Sequence, residues 1–348
     1  MEMKTYRKVD GGGDLFSALN HQKTVTRRIV GILKLRDIID WEGFRPILEK
    51  VTGYDTKDWS KGGRPPFDPV FMFKVLVLQK FHGLSDEATE QQIGDRLSFM
   101  SFLDLRLGDE IPDANTIWDF KELIEKDGRE GGLRLFEAFH ATLSGEGLIA
   151  KEGSIVDASF VDAPRQRNTR EQNQKIKDGE RPEEFDPTTP KGRQKDCDAR
   201  WTKKNAESHY GYKNHAKVDA KSKLIDKHKT TPAQVHDSQV FQDLVDKSDK
   251  AVLADSAYHS EEHEDYLIEC EAEEFLMRKA YRNKPLSDAD QKFNKGVSRI
   301  RVRVEHVFGR MKQLGMDLVR SIGLKRAGQH NSLSNMVYNM DRYAFLKS

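Results

Sequence analysis

The sequence is poor in three things. It carries two cysteines in 348 residues, Cys197 and Cys270, with no CxxC or Cys/His cluster. That excludes a disulfide framework and a structural zinc site, and it fits a reducing cytoplasm. It has no long hydrophobic run: VFMFKVLVLQKF is broken by Lys74 and falls well short of the roughly 20 residues that a membrane helix needs. The opening MEMKTYRKVDGGGDLF has no apolar leader core, so a soluble chain with no membrane partner is expected. It also has almost no net charge, with 58 basic against 57 acidic residues, so no global field draws a polyanion towards it.

The average hides a strong segregation. Residues 278–326 hold 14 Lys or Arg against four acids, a net of +10, whereas residues 233–275 hold 13 acids against Lys247 and Lys250, a net of −11. One basic face for a polyanion and one acidic, solvated face are expected. The length suits about two domains.

The first 150 residues read as helical. DPVFMFKVLVLQKF starts on an Asp68 cap and is apolar enough for a buried helix. Ser85 caps a second helix from about Asp86 to Asp95, and PDANTIWDFKELIEKDG is a third, bracketed by Pro112, Asp113 and Gly128. Short helices joined by tight turns are the pattern of a helix-turn-helix unit, and also of many small bundles.

After GEGLIAKEG the periodicity changes. SIVDASFVDA reads as a strand, and GYKNHAKVDA and KLIDKHKTTP as a hairpin-like pair. Between the first two lies Pro164 to Lys204, almost wholly polar and read as a long mobile loop or a segment that orders on binding. VHDSQVFQDLVDKS reads as a helix, KAVLADSAY as a buried strand, SEEHEDYLIECE as a helix, AEEFLMRK as a short strand and NKGVSRIRVRVEHVFGRMKQLG as a long helix. The tail is a last packing helix. This is a mixed sheet flanked by helices.

The long helix has three faces at 100° per residue. Val297, Ile300, Val304, Val307, Phe308, Met311 and Leu314 form the buried stripe. Arg301, Glu305 and Lys312 fall on one edge of it, and Arg299, Arg303, His306 and Arg310 on a basic back. Glu305 pairing with Arg301 one turn earlier is the plain reading of that acid.

Asp157 and Asp255, however, stand on apolar strands, where an unpaired carboxylate costs several kcal/mol. Each needs a salt bridge, a turn to cap or a cation. Three acids from two strands and a helix edge suit hard divalent ions, a pair of which can activate a water and stabilise a leaving oxygen at phosphorus. Neighbouring bases would hold phosphates.

Other residues carry less. Lys213 and His215 have opposite strand parity to Tyr212 and Asn214, and line either the floor of a site or an ordinary strand face. His236 and Asp237 look like a helix cap with Asp as the cap residue, a metal or DNA role being the minority reading. Asp162 has parity opposite to Asp157 and is not expected to be a ligand. DARWTKK sets Trp201 among Arg200, Lys203 and Lys204, a DNA-backbone and base-stacking element unless Trp201 only anchors the loop.

Together IVDASFVDAP, GYKNHAKVD, VHDSQ, VLADSAYHS and RIRVRVEHVFGRMK resemble the DDE transposases of bacterial insertion sequences, in particular the insertion-sequence-five family, over roughly residues 60 to 345. The acids are separated by 98 (255 − 157) and 50 (305 − 255) positions, and Arg301, Glu305 and Lys312 match the Arg-x3-Glu-x6-Lys part of the signature. The segment from GRPPFDP to NTIWDF is similar to that family's amino-terminal helical region.

The resemblance implies an α/β protein. A ribonuclease-H-like, mixed-sheet catalytic domain at 151–348, with a polar loop at 164–204, follows an all-α, helix-turn-helix-like region at 1–150 for DNA binding and dimerisation. Asp157, Asp255 and Glu305 would be the catalytic metal ligands, for two Mg²⁺ ions replaceable by Mn²⁺. Arg301 and Lys312 would contact DNA phosphates near the cut, with Arg299, Arg303, Arg310, Lys213, Arg200, Trp201, Lys203 and Lys204 as further DNA-binding candidates.

The implied partners are double-stranded DNA, as terminal inverted repeats and as target, and a second copy of the chain, in a bacterial cytoplasm at the nucleoid. Hydrolysis at each transposon end would be followed by attack of the freed 3′-hydroxyl on target DNA, with no covalent protein–DNA intermediate. Some related signatures begin with a Tyr where this chain has Ser298, so the base stacking that favours a hairpin intermediate is missing. The 49 residues between Asp255 and Glu305 (305 − 255 − 1) leave no room for a large inserted domain. The rival readings are a ribonuclease-H-like nuclease that cuts without joining and a DNA-binding protein whose acids are relics.

Overall fold

The computed structural model describes residues 31–347 apart from 59, 61, 63, 205 and 282–284. The first thirty residues of the expected N-terminal region, and Arg282 and Lys284 of the basic run, lie outside the described residues.

Up to Gly145 the described chain is helical: α1 (Ile32–Ile38), α2 (Arg45–Thr52), α3 (Pro69–Phe81), α4 (Asp86–Asp95), α5 (Leu97–Phe102), α6 (Ala114–Glu125) and α7 (Gly131–Gly145). The three expected caps form. The Asp68 carboxylate accepts the Val70 and Phe71 N–H groups at 2.8 and 3.1 Å, Ser85 Oγ accepts Ala88 N–H at 3.1 Å, and Asp113 accepts Thr116 N–H at 2.7 Å. Each satisfies an N–H that the first turn of its helix would otherwise leave unpaired. α3 is apolar apart from Lys74, Gln79 and Lys80, and it is buried along most of its length.

The second half continues with β1 (Ser154–Asp162), α8 (Arg170–Lys177), α9 (Pro190–Arg193), β2 (Arg200–Lys204), β3 (Glu207–Asp219), β4 (Ile225–Pro232), α10 (Phe241–Leu244), β5 (Ala251–Ala254), α11 (Glu261–Glu269), β6 (Glu273–Leu276), α12 (Asp288–Gln313) and α13 (Leu324–Leu346). β1 pairs antiparallel with β3 and parallel with β5, and β6 pairs parallel with β5. β2 and β4 share the outer edge of β3, along its first and second halves respectively. β1 therefore has a partner on both sides, which fixes its backbone more tightly than that of an edge strand.

The expected two units share one hydrophobic core, which runs from α1–α7 through α13 to the sheet. α13 is buried almost all round between Gln329 and Met340, and most of its buried polar residues are paired, Ser334 Oγ having no hydrogen-bond partner among the described residues. Asn335 and Asn214 exchange two hydrogen bonds, at 2.7 and 3.1 Å, while Asn339 accepts from Ile225 N–H and donates to Ile225 C=O, both at 2.8 Å. An unpaired buried amide would cost about 1–3 kcal/mol.

Four expectations are corrected. Residues 164–204 are not a bare loop: they form α8, α9 and β2. Few apolar pins are needed, because Ile176, Phe185 and Ala199 are buried. The buried Asp196 accepts Tyr212 OH at 2.8–2.9 Å and the Ala199 N–H at 2.9 Å, so polar groups are satisfied against a domain that already has a core. VHDSQVFQDL is a 3₁₀ turn at Asp237–Val240 followed by the one-turn α10. His236, not Asp237, caps it, because Asp237 is drawn to Lys213 at 2.7 Å. On α12 the buried line is Val297, Val304, Val307 and Met311, but Ile300 is 41% exposed, so the apolar stripe facing the body is narrower than the helical wheel suggests.

Candidate active site

Asp157 lies midway along β1 and Asp255 directly after the last residue of β5. The parallel register pairs Ser154 with Val252 and Ile155 with Leu253, an offset of 98. Asp157 lies two residues beyond the last registered pair and Asp255 just after β5, and the two acids are near enough for the charge of Asp255 to act on Asp157. Burial raises the Asp157 carboxyl above the ordinary carboxylate range, and the charge of Asp255 raises it further. Arg301, the Ala158 N–H and, more weakly, Lys204 pull it back.

The cation at this place is an arginine. Arg301 Nη2 donates to Asp157 Oδ2 at 3.0 Å, and both side chains are only 16% exposed. Arg301 Nη1 rests on Met277 Sδ at 3.3 Å. The other Asp157 oxygen accepts Ala158 N–H at 2.8 Å, and Asp255 Oδ1 accepts Ala257 N–H at 2.8 Å, so Asp255 does cap its turn. The expected Glu305–Arg301 pair does not form, because Arg301 reaches the sheet instead. Glu305, one turn further along α12, is exposed and bonded to no described residue, as is Lys312. Among the described residues no three acids, histidines or cysteines stand close enough together to hold a metal ion. The structure thus brings together Asp157, Asp255 and Arg301 and leaves Glu305 alongside, open to solvent.

The other basic candidates divide. Arg299 is exposed and without a described partner. Arg303 donates to the Ala220 carbonyl, and Arg310 pairs with Asp341 at 2.8 Å, so both bind α12 to its neighbours. Lys203 and Lys204 are exposed on β2. Trp201 is half exposed, with the Arg165 guanidinium 5.5 Å above its ring and Tyr210 5.0 Å away. Arg200 Nη1 is held by the carbonyls of Cys197 and Ala199.

Lys213 and His215 pair with Phe160 and Ala158, whereas Asp157 pairs with Ala216. Cross-strand partners share a face, so Lys213 and His215 lie on the opposite face from Asp157 and do not line its floor. Lys213 is buried against Asp237, and His215 Nε2 meets Thr231 Oγ1 at 2.8 Å, burial lowering its pKa to about 4. Asp162 is exposed at the end of β1, 3.7 Å from His209 Nδ1.

Sequence reasoning passed over Tyr258. Its ring is fully buried beside Phe241, and its hydroxyl has no hydrogen-bond partner among the described residues. Burial raises the phenol well above its ordinary value, and Asp237, Asp157 and Asp255 add to this. Its place three residues after Asp255 was the available signal.

The site is thus two neighbouring carboxylates at the centre of the sheet, backed by a helix rich in bases. Residues 149–340 match the family described as Transposase DDE domain, and residues 27–123 match Transposase domain (DUF772). The first match covers more than half of the chain, which therefore belongs to the DDE transposase domain family. That family implies a ribonuclease-H-like catalytic domain, in agreement with the sheet order, and an enzyme of DNA transposition and recombination. No solved structure matches the chain. None of the described helices is long and apolar enough to cross a membrane.

Proposed function

We propose that this protein is an insertion-sequence transposase of the insertion-sequence-five type that binds the ends of its element, cuts one or both strands there and joins the freed 3′-hydroxyl to target DNA. The observation that carries the reading is the proximity of Asp157 on β1 to Asp255 at the end of β5, beside α12, which bears Arg301, Glu305 and Lys312.

The donor set fits a hard divalent cation in its chemistry: Asp157, Asp255 and Glu305 all offer carboxylate oxygens. It is not assembled, since Arg301 occupies one oxygen of Asp157 and Glu305 stands apart. Mg²⁺ or Mn²⁺ held by these three residues would supply the Lewis-acid charge that activates a water or 3′-hydroxyl and stabilises the leaving oxygen. The chain's own residues do the rest. The Asp157–Asp255 repulsion keeps a strong local demand for positive charge, and β1, paired on both edges, holds it still. Lys312, Arg299, Lys203 and Lys204, which have no ion pair among the described residues, present their charges to the DNA backbone. Arg301, once released from Asp157, is one guanidinium fork away from a phosphate near the cut.

A purified preparation incubated with a plasmid carrying the DNA that flanks its own gene, with and without Mg²⁺ and beside Asp157→Asn, tests this. The expected result is metal-dependent cutting at inverted ends, lost in the variant. A specific observation favours one rival, a DNA-binding protein without catalysis: Arg301 already occupies one oxygen of Asp157. Retarded but uncut DNA in every lane, with folded protein and several divalent metals, would establish that rival.

A further inference from the structure

A second basic site lies away from the acids. The 317–319 segment runs alongside the end of β1, with Asp162 N–H donating to Asp317 O at 2.8 Å and Val319 N–H to Asp162 O at 2.9 Å. Just beyond it, the turn before α13, the 164–204 segment and α6 enclose a groove of about 530 Å³. Arg181, Arg193, Lys195, Arg320 and Arg326 line it, and Trp118, 48% exposed, forms part of its wall.

The charges of this groove are not cancelled. Arg181 Nη1 donates to Phe185 O at 3.0 Å, Arg193 Nε to Pro187 O at 3.2 Å, Lys195 Nζ to Arg167 O and Asn168 Oδ1 at 2.8 and 2.7 Å, and Arg320 Nη2 to Gly83 O at 3.0 Å. Carbonyl oxygens orient a cation without neutralising it, and none of these four side chains has an ion pair with a described carboxylate. Arg326 is paired with Glu122 at 2.5 Å, and the lining acid, Asp198, accepts Leu324 N–H at 2.8 Å at the start of α13. An adjoining hollow shares Trp118, Arg320 and Arg326, but its own Lys121 is matched by Asp86 at 2.5 Å. Of these two hollows, the groove therefore holds the more unmatched charge.

The groove has a rigid seat. Gly83, at φ +60°, approaches the turn after α12 so closely that a Cβ would lie 2.8 Å from Leu314 O. That contact sets the helical half against the end of α12, and Arg320 braces it.

We infer that this groove is a second DNA-binding site, which holds the sugar–phosphate backbone outside the cut, with Arg181, Arg193, Lys195 and Arg320 on phosphates and Trp118 against deoxyribose. The inference rests on the DNA-acting function proposed above. Asp157 precedes Asp162 by five residues, roughly 16 Å of strand, and the segment bridged to Asp162 leads directly to Arg320 of the groove.

Fluorescence anisotropy with a short labelled duplex of arbitrary sequence, over a range of salt concentrations, tests it on the full chain. Each lost phosphate contact reduces the slope of log affinity against log salt by about 0.9. Arg181→Ala/Arg193→Ala/Arg320→Ala is expected to flatten the slope by about 2 to 3, and Arg193→Glu, a single exposed change that leaves folding intact, to weaken binding of every sequence. Trp118→Ala should lose about fivefold in affinity and Trp118→Phe much less. Unchanged slope and affinity in folded Arg193→Glu and the triple variant, with the wild type binding DNA, would overturn the groove and leave the transposase reading standing. A folded wild type that binds no DNA at any salt would remove both.

Discussion

Two clusters of charge sit on the same sheet and are built in opposite ways. Around Lys217, fully buried on β3, Asp226 lies at 2.7 Å and Asp249 at 2.8 Å, with Asp246 at 3.6 Å. His140 Nε2 approaches Asp226 Oδ1 at 2.5 Å, and Ser154 Oγ donates to Asp249 at 2.6 Å. Burial alone would lower the Lys217 ammonium, but Asp226 and Asp249 outweigh it and raise the group above its ordinary value. Around Asp157 the balance runs the other way: one arginine serves an acid that a second acid crowds, and a third acid stands unpartnered in solvent. The first cluster is closed and has no place for a ligand. The second is left short of positive charge and open on one side, which is the arrangement that a substrate or cation completes.

The contrast makes stability predictions of different size. Lys217→Met removes the only described base bonded to Asp249 and should destabilise the protein by about 3–5 kcal/mol, read as a lower midpoint in urea. An unchanged midpoint would mean that the cluster is not closed as described.

Acid should act on the same cluster. Although burial opposes it, the bonds from His140 and Lys217 hold the Asp226 pKa down to about 2, against 3.8 ordinarily. A carboxyl with a depressed folded pKa contributes stability that is complete above its unfolded pKa and lost as pH falls through its folded one. About 2 kcal/mol should therefore disappear between roughly pH 4 and pH 2. Unfolding curves across this window should fall less steeply in Lys217→Met, which has lost part of the cause.

The smallest effect is expected at the open cluster. Asp157→Asn keeps an acceptor for Ala158 N–H and relieves the repulsion from Asp255, so stability should stay within about 1 kcal/mol of wild type while end cutting is lost. A drop as large as that of Lys217→Met would make Asp157 a structural residue.

Much of this was legible beforehand. Asp68, Ser85 and Asp113 end their helices by bonds within four residues, so local sequence carries them. The strands around Asp157 and Asp255 followed from alternation and β-branching, and the interval of 98 residues proved to equal the register offset between β1 and β5. The segment 164–204 was misjudged because composition measures how much apolar surface a segment can bury alone, not what Ile176, Phe185 and Asp196 find when a finished core is already beside them. Tyr258 and the Trp118 groove were missed because each depends on elements far apart in the chain.

By itself, then, the sequence determined what depends on neighbours a few positions away: caps, periods, and the elements on or beside which Asp157, Asp255 and Glu305 fall. Only the tertiary structure decided the partners. Arg301 lies 144 positions from Asp157 yet bonds it rather than Glu305 one turn away, because a guanidinium gains more from a half-buried carboxylate short of charge than from one already solvated by water.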